Sequence, residues 1–270
     1  MMVRSLWSGA TGMKAMQTNM DVIAHDLTNI NTTGYKKRVV NFQDLLYQTM
    51  RAAGLQGGNG VNLPVGVQVG LGVRVSGTTP VMTVGPFNET GNWYDMAIEE
   101  RQATGIRNFF RINMGDDTYA YTRDGSFRVD SDGYLVTIDG FYLDPQPGPV
   151  AANATSWQVT REGSVQQLLP GETIYQEVGQ INLFTFINPA GLDPIGGNLW
   201  AESAASGDAQ EGQPGVDGFG LIRSGWIEMS NVDAISEMVN MIAAQRAYEF
   251  NSKSITTSDE MLSTVNQLKR

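Results

Sequence analysis

The side chains that carry most protein chemistry are scarce in this sequence. Its 270 residues include one histidine, His25, and no cysteine. That removes thiolate nucleophiles, zinc–thiolate sites and disulfide staples. One histidine is also too little for a multi-histidine metal site, and a catalytic triad would have to rest on His25 alone. His25 lies beside an apolar helical column and reads as its polar flank. Asp130-Ser131-Asp132-Gly133 resembles the start of a calcium loop, but an EF-hand would need an acidic residue where Arg128 stands, and flanking helices. A hairpin turn is the better reading, because Asp-Gly is a hairpin signal. Gly70-Leu71-Gly72 lacks the third glycine of a dinucleotide fingerprint, and no Walker loop or Gly-x-Ser-x-Gly elbow occurs. Carboxylates are numerous, yet nothing singles out one acid/base pair. Lys36-Lys37-Arg38 could hold an anion; such triplets are more often solvated faces, here following a helix end whose carbonyl dipole they would meet. The sequence thus predicts no catalytic, cofactor-binding or metal-ligating residue, no cofactor and no enzyme.

The elements around these residues fall into three zones. All ten prolines lie between Pro64 and Pro214, residues 231–270 contain neither proline nor glycine, and residues 1–33 contain only Gly9 and Gly12. The ends can therefore be helical and the middle turn-rich. In the first end, Leu6, Met13, Met20 and Leu27 are spaced by seven, with Met16, Ile23 and Ile30 as a second column. This is an a/d seam of period 3.5. The helix is expected to stop at Asn31-Thr32-Thr33-Gly34, with Gly34 as a left-handed cap. In the last end, Met241, Tyr248, Ile255 and Leu262 are spaced by seven, each followed after three residues by Ala244, Asn251, Ser258 and Val265. This second column is mostly small or polar, which permits close approach. Val239 and Ile242 widen the apolar face. Asn231 or Asp233 suits the N-cap and Glu237 the first turn of a helix over about 233–267.

The middle reads as β. Val67, Val69, Leu71, Val73 and Val75 alternate with other residues as in one strand. Turn signals recur at Asp124-Gly125, Asp132-Gly133, Asp139-Gly140, Glu162-Gly163 and Pro170-Gly171, with strands expected between them, such as 134–138 and 181–187. Thr122-Arg123-Asp124-Gly125-Ser126 and Thr160-Arg161-Glu162-Gly163-Ser164 echo each other and read as two similar hairpin turns. Residues 54–60 read as a flexible loop. The fold class is α+β: long terminal helices forming a coiled-coil layer, with a central mainly-β domain.

Charge narrows the partners. Residues 1–52 carry +3, residues 53–230 carry −12 and residues 231–270 carry −1. An acidic middle argues against nucleic acid. No run is long and apolar enough for a membrane span, and the start lacks the pattern of a cleaved signal. Two long helices at opposite chain ends could simply cover one core. A two-helix pair buries little area, however, so helices from neighbouring copies would add stability.

The same residues resemble a known family. Thr11-Gly12-Met13, Asn19-Met20-Asp21-Val22-Ile23-Ala24 and Leu27-Thr28-Asn29-Ile30-Asn31-Thr32-Thr33-Gly34-Tyr35-Lys36 are similar to the N-terminal signature of bacterial flagellar rod and hook proteins. Ser230-Asn231-Val232-Asp233, Glu237-Met238-Val239-Asn240-Met241-Ile242, Gln245-Arg246-Ala247-Tyr248-Glu249 and Asn251-Ser252-Lys253 resemble the C-terminal one. Ala120-Tyr121-Thr122-Arg123-Asp124-Gly125-Ser126-Phe127 and Gly133-Tyr134-Leu135-Val136-Thr137 match the middle. Within the family, residues 42–49 and 63–74 resemble the distal rod protein.

The resemblance implies a hollow helical homopolymer, with the terminal helices inside and the β domain outside. The implied domains are 1–38 (N-terminal inner helix), 39–75 (connecting rod-specific segment), 76–225 (outer β domain) and 226–270 (C-terminal inner helix). The implied assembly interface is Leu6, Met13, Met16, Met20, Ile23, Leu27 and Ile30 on one helix. On the other it is Val239, Met241, Ile242, Tyr248, Ile255, Leu262 and Val265. The implied partners are further copies, proximal rod and hook-side axial proteins, the P-ring and L-ring, and the flagellar type III export apparatus, with no nucleic acid and no membrane insertion. The implied location is the basal body, across the periplasm to the outer membrane, reached without a cleaved signal. Another axial protein (hook or proximal rod), or a carbohydrate-binding or adhesive β module using Trp93, Trp157 or Trp200, is the alternative. Two departures stand out: His25-Asp26 where the family usually shows Asn-Asn, and extra residues within 98–110.

Overall fold

The computed structural model describes residues 2–51, 56–57, 61–62, 66–100, 105–115, 118–151 and 154–268. The fold is α+β. Helix α1 spans Met2–Thr28, helix α2 spans Ala234–Leu268, and short strands occupy the chain between them. Two compact units result. One contains Met1–Thr28, Arg38–Thr79 and Asp233–Arg270; the other contains Asn29–Lys37 and Pro80–Val232.

In the helical unit, α1 and α2 pack against each other. Their pairing is antiparallel: Ser5 Oγ lies 3.0 Å from Ser258 Oγ, Gly9 faces Ile255, and Gly12 faces Asn251. The contact face of α1 is made of small residues, with Gly9, Gly12 and Ala15 buried. A Cβ on Gly9 would stand 2.9 Å from Ile255 Cγ1 and 3.4 Å from the Asn251 carbonyl oxygen. A glycine inside a helix costs up to about 1 kcal/mol relative to alanine. Here close approach of the second helix is the compensating gain. Gly9→Leu is expected to push the helices apart and lower stability by about 2 kcal/mol, as overpacking does. Helical circular dichroism on a urea gradient will show the loss.

The N-terminus of α2 forms as its sequence predicts. The Asp233 carboxylate accepts from the Ser236 N–H at 3.3 Å and the Ile235 N–H at 3.4 Å, and Glu237 sits in the first turn. Asn231 is not the cap. The end of α1 also differs from expectation. The helix stops at Thr28, and Gly34, with φ +67°, lies beyond a further turn. The chain returns to this unit at Arg38, whose N–H donates to the buried Asp26 carboxylate at 3.1 Å.

The remaining strands of this unit are ribbons. Arg38–Asp44 pairs with Val73–Pro80, Tyr47–Arg51 with Val67–Gly70, and Gln56–Gly57 with Val61–Asn62. The single strand expected over 67–75 is broken into Val67–Gly70 and Val73–Pro80. The break is at Gly72, with φ +112°, where a Cβ would lie 2.2 Å from Thr11 Oγ1. The alternation of valines is real, but close contact with α1 turns the backbone where only glycine fits. The stretch read as a loop at 54–60 lies outside the described residues, apart from Gln56–Gly57. So do residues 101–104 of the 98–110 segment.

The β unit is organised around Asn108–Gly115. This strand pairs antiparallel with Thr118–Thr122 along one edge, and with Tyr142–Asp144 and Leu183–Thr185 along the other. Successive residues of a strand face opposite ways. Phe109 and Phe110, both fully buried, therefore enter two separate cores. Phe110 packs with Met96, Phe127, Leu135 and Ile181; Phe109 packs with Tyr121, Phe184, Phe186 and Trp200.

Four of the five expected turns are present, with Gly133, Gly140, Gly163 and Gly171 at positive φ between paired strands. The expected strands are shorter than read: Leu135–Val136 and Leu183–Thr185. Thr137 is already in a turn, its carbonyl accepting the Gly140 N–H at 3.0 Å. The fifth, Asp124-Gly125, is not a hairpin. A Cβ on Gly125 would stand 1.6 Å from the Met96 carbonyl oxygen, and the Met96 N–H donates to the Gly125 carbonyl at 2.9 Å. The two echoed motifs therefore do different work: Arg161 is exposed, whereas Arg123 is buried.

Candidate functional site

In the helical unit, α2 is apolar on two sides. At 100° per residue, Met241, Ala244, Asn251, Ile255, Ser258 and Leu262 share one face. All six are buried or half-buried. Ile235, Val239, Ile242 and Phe250 share the opposite face. They are 70%, 60%, 57% and 72% exposed. Val239 and Ile242 thus lie across the helix from the first face and do not widen it. Tyr248, between Met241 and Ile255 on the first face, and Val265, at its edge, are exposed.

On α1, the structure brings Ile23 into the buried face, while Leu6, Met13, Met16, Met20 and Leu27 are half-buried. Ile30 is half-buried in the turn beyond the helix and belongs to the β unit. Periodicity finds this heptad seam. Ser5, Gly9 and Gly12, which hydrophobic periodicity passes over, also meet α2 closely. Among the described residues, no helix is long and apolar enough to cross a membrane.

The β unit holds a buried charge cluster where the chain enters and leaves it. Lys36, read as part of a solvated triplet, is 2% exposed, and Glu228 is 1% exposed. Lys36 Nζ donates to Glu228 Oε1 and, at 2.7 Å, to the Thr83 carbonyl. Glu228 also accepts the Gly85 N–H at 2.8 Å and Arg123 Nε at 3.0 Å. Arg123 Nη1 donates to Glu100 Oε1 at 2.8 Å, and Glu100 pairs with Arg107. The backbone closes around this cluster. The Gly34 N–H donates to the Glu228 carbonyl at 2.8 Å, and the Lys37 N–H to Asn231 Oδ1 at 2.8 Å. Asn231 Nδ2 donates to the Val81 carbonyl at 2.8 Å. Gly34 is held by its fit against Arg123 and Asp124, with 2.5 Å from its would-be Cβ to the Asp124 nitrogen. The segment after α1 and the segment before α2 are thereby tied side by side. One signal in the sequence pointed here: Glu228 is a carboxylate inside the apolar run Trp226-Ile227-Glu228-Met229, where a buried charge needs a partner.

The electrostatics are asymmetric. Burial alone would raise the Glu228 carboxyl, but Arg123 and Lys36 outweigh it and hold it below the usual carboxylate range. Burial and the nearby Arg123 charge outweigh Glu228 at Lys36 and lower its pKa from 10.5 to about 8. In the other core, burial and Glu202 raise Tyr121 to about 12.

These shifts set the pH dependence of stability. Between pH 8 and 10.5 the unfolded chain keeps a lysine proton that the folded chain has lost, so stability rises with pH by about 3 kcal/mol in full. Above pH 10 the unfolded tyrosine has lost a proton that Tyr121 still holds, so stability falls again. A maximum near pH 10 is expected. Urea unfolding from pH 7 to 11 will show it, and Lys36→Met is expected to remove the rising limb.

Comparison with known proteins places this architecture. Residues 6–36 match the model of the flagella basal body rod protein, residues 106–167 the D1 domain of the flagellar hook protein FlgE/F/G, and residues 223–268 the C-terminal part of the flagellar basal body rod FlgEFG protein. The flagellar basal-body rod protein FlgG of Borreliella burgdorferi is 45% identical over 272 residues, covering 100% of both chains. That of Buchnera aphidicola is 42% identical over 267 residues, covering 99% of this chain and 100% of the relative.

The chain belongs to the flagellar basal-body rod protein family.

It is a structural subunit of the flagellar rod. Similarity to a flagellar hook protein, from Borreliella burgdorferi, is lower, at 23%. Two of the three rod and hook family matches cover the two terminal helices, and the third covers the central strand and the Asp132-Gly133 turn. The buried cluster draws on all three, through Lys36, Arg123 and Glu228.

Proposed function

We propose that this chain polymerises into the distal rod, the hollow drive shaft that carries motor torque towards the hook and encloses the export channel. The observation that carries the reading is the second apolar face of α2. Ile235, Val239, Ile242 and Phe250 are each more than half exposed, and burying the part of these four side chains that is still exposed is worth about 4–8 kcal/mol. Helices of neighbouring copies are the natural cover, nested as a coiled-coil inner layer built from the seams of both helices. Contacts that repeat without closing generate a helix and not a ring. Close-packed helical contacts deform little, which a torsion-bearing shaft needs.

In this reading the inner layer is 1–38 and 226–270, the outer layer is the acidic 76–225, and 39–75 connects them and bridges adjacent copies. The chain acts in the basal body, across the periplasm to the outer membrane. It stacks on proximal rod proteins, meets hook-side axial proteins, turns within the P-ring and L-ring, and arrives through the type III export apparatus without a cleaved signal. Its role is structural and not enzymatic. Electron microscopy of the concentrated purified protein tests the assembly. Straight tubes are expected; a protein that stays monomeric at high concentration, or closes into rings, would overturn it.

A further inference from the structure

The β unit contains a cleft that the assembly reading does not use. It has a volume of about 620 Å³ and is lined by Trp93, Tyr94 and Trp157 together with the Asp130–Gly133 turn and residues 149–151. That volume falls within the range of small-molecule sites and exceeds what a single side chain fills.

The walls are fixed before any ligand arrives. Trp93 stacks on Trp157 with centroids 5.4 Å apart and meets Tyr94 edge-on at 5.6 Å. Arg128 sits over the Tyr94 ring at 5.6 Å. All three rings remain part-exposed. The acidic turn is docked by the Val150 N–H, which donates to the Gly133 carbonyl at 2.8 Å, and Gly133 leaves no room for a side chain against the Val150 carbonyl. The Asp130 carboxylate is oriented by the Ser131 N–H. Preset walls lower the entropic cost of binding.

The chemistry of the lining selects the ligand. Two carboxylates at the rim repel anions. A wholly apolar ligand would leave the acceptor capacity of those carboxylates unused, whereas polar groups in a site fix orientation and specificity. Aromatic faces with acceptor oxygens beside them suit a molecule that presents C–H surface and hydroxyl donors together. Trp200, by contrast, is buried in the Phe109 core and takes no part.

We propose that this cleft binds a short stretch of a neutral saccharide chain. Sugar C–H faces lie on the Trp93, Trp157 and Tyr94 side, and hydroxyls donate to Asp130 and Asp132. The role is independent of polymerisation, since every group belongs to the β unit.

The test uses the full chain, diluted to the monomer, titrated with N,N′,N″-triacetylchitotriose and with cellotriose, and read by isothermal calorimetry and tryptophan fluorescence. Saturable binding is expected with at least one sugar, weakened about tenfold or more by Trp157→Ala and by Asp132→Asn. Asp132 is exposed on a turn, so its variant separates lost binding from lost folding; Trp157→Phe, which keeps a ring, is expected to retain part of the affinity. No saturable signal with either sugar up to ~10 mM would overturn the proposal, as that bounds affinity below any useful level. Binding that both substitutions leave unchanged would do so too. So would displacement of the sugar signal by N-acetyl-arginine amide at lower concentration, which would mark the cleft as a socket for a cationic side chain.

Discussion

Glu228→Gln is expected to destabilise the β unit by about 3–5 kcal/mol, the usual cost of removing one partner from a buried ion pair. The substitution keeps the shape and removes the charge that Lys36 and Arg123 share. Both cations are almost fully buried, and Glu100 is left as the only other carboxylate among the partners described for the cluster. Lys36→Met is expected to cost much less, because burying that cation is itself unfavourable, as its lowered pKa shows. In the double variant Glu228→Gln/Lys36→Met, part of the loss should be recovered. Urea unfolding of the four proteins gives the coupling directly. A Glu228→Gln protein as stable as the parent would mean that the cluster does not hold the two chain segments together. Because those segments lead to α1 and α2, its loss is also expected to reduce swimming in a strain that depends on this protein.

Val239→Asp combined with Ile242→Asp is expected to leave the monomer intact and abolish the polymer. Both side chains are more than half exposed, so the change in monomer stability should stay within about 0.5 kcal/mol. In a polymer with this face covered, each aspartate would bury an unpaired charge at every subunit, a repeated cost of several kcal/mol. Sedimentation and electron microscopy at concentrations where the parent forms tubes will read the difference. Tubes that form normally in the double variant would remove this face from the interface. A monomer that unfolds would show that the face is covered within the chain.

The two predictions concern features that differ in how far they can be read from residues alone. The helices, the β middle and the family were legible because each depends on local periodicity or on contiguous motifs. Heptads at 6–27 and 241–262, the absence of proline from both ends, and the Asp-Gly turns act over a few residues. The N-cap at Asp233 was legible for the same reason: the side chain bonds to backbone two and three residues on.

What the sequence did not reveal depends on atoms far apart in the chain. Lys36 meets Glu228 across 192 residues, and no spacing rule announces such a pair, so a basic triplet looked like a solvated face. Gly72 breaks an alternating strand because Thr11 stands behind it, and Gly125 leaves the hairpin pattern because Met96 does. That Val239 and Ile242 form a second helix face follows from 100° per residue, but that this second face is the one left exposed was settled by where α1 packs.

Composition, period and motif thus determined what this protein is made of and which family it belongs to. Tertiary structure decided which charges are buried, which helix face is already taken, and which aromatic side chains line a cleft. The reason is physical. Helix and turn formation respond to neighbours within a few residues, whereas burial is a property of the packed unit, set by whatever distant surface arrives to exclude water.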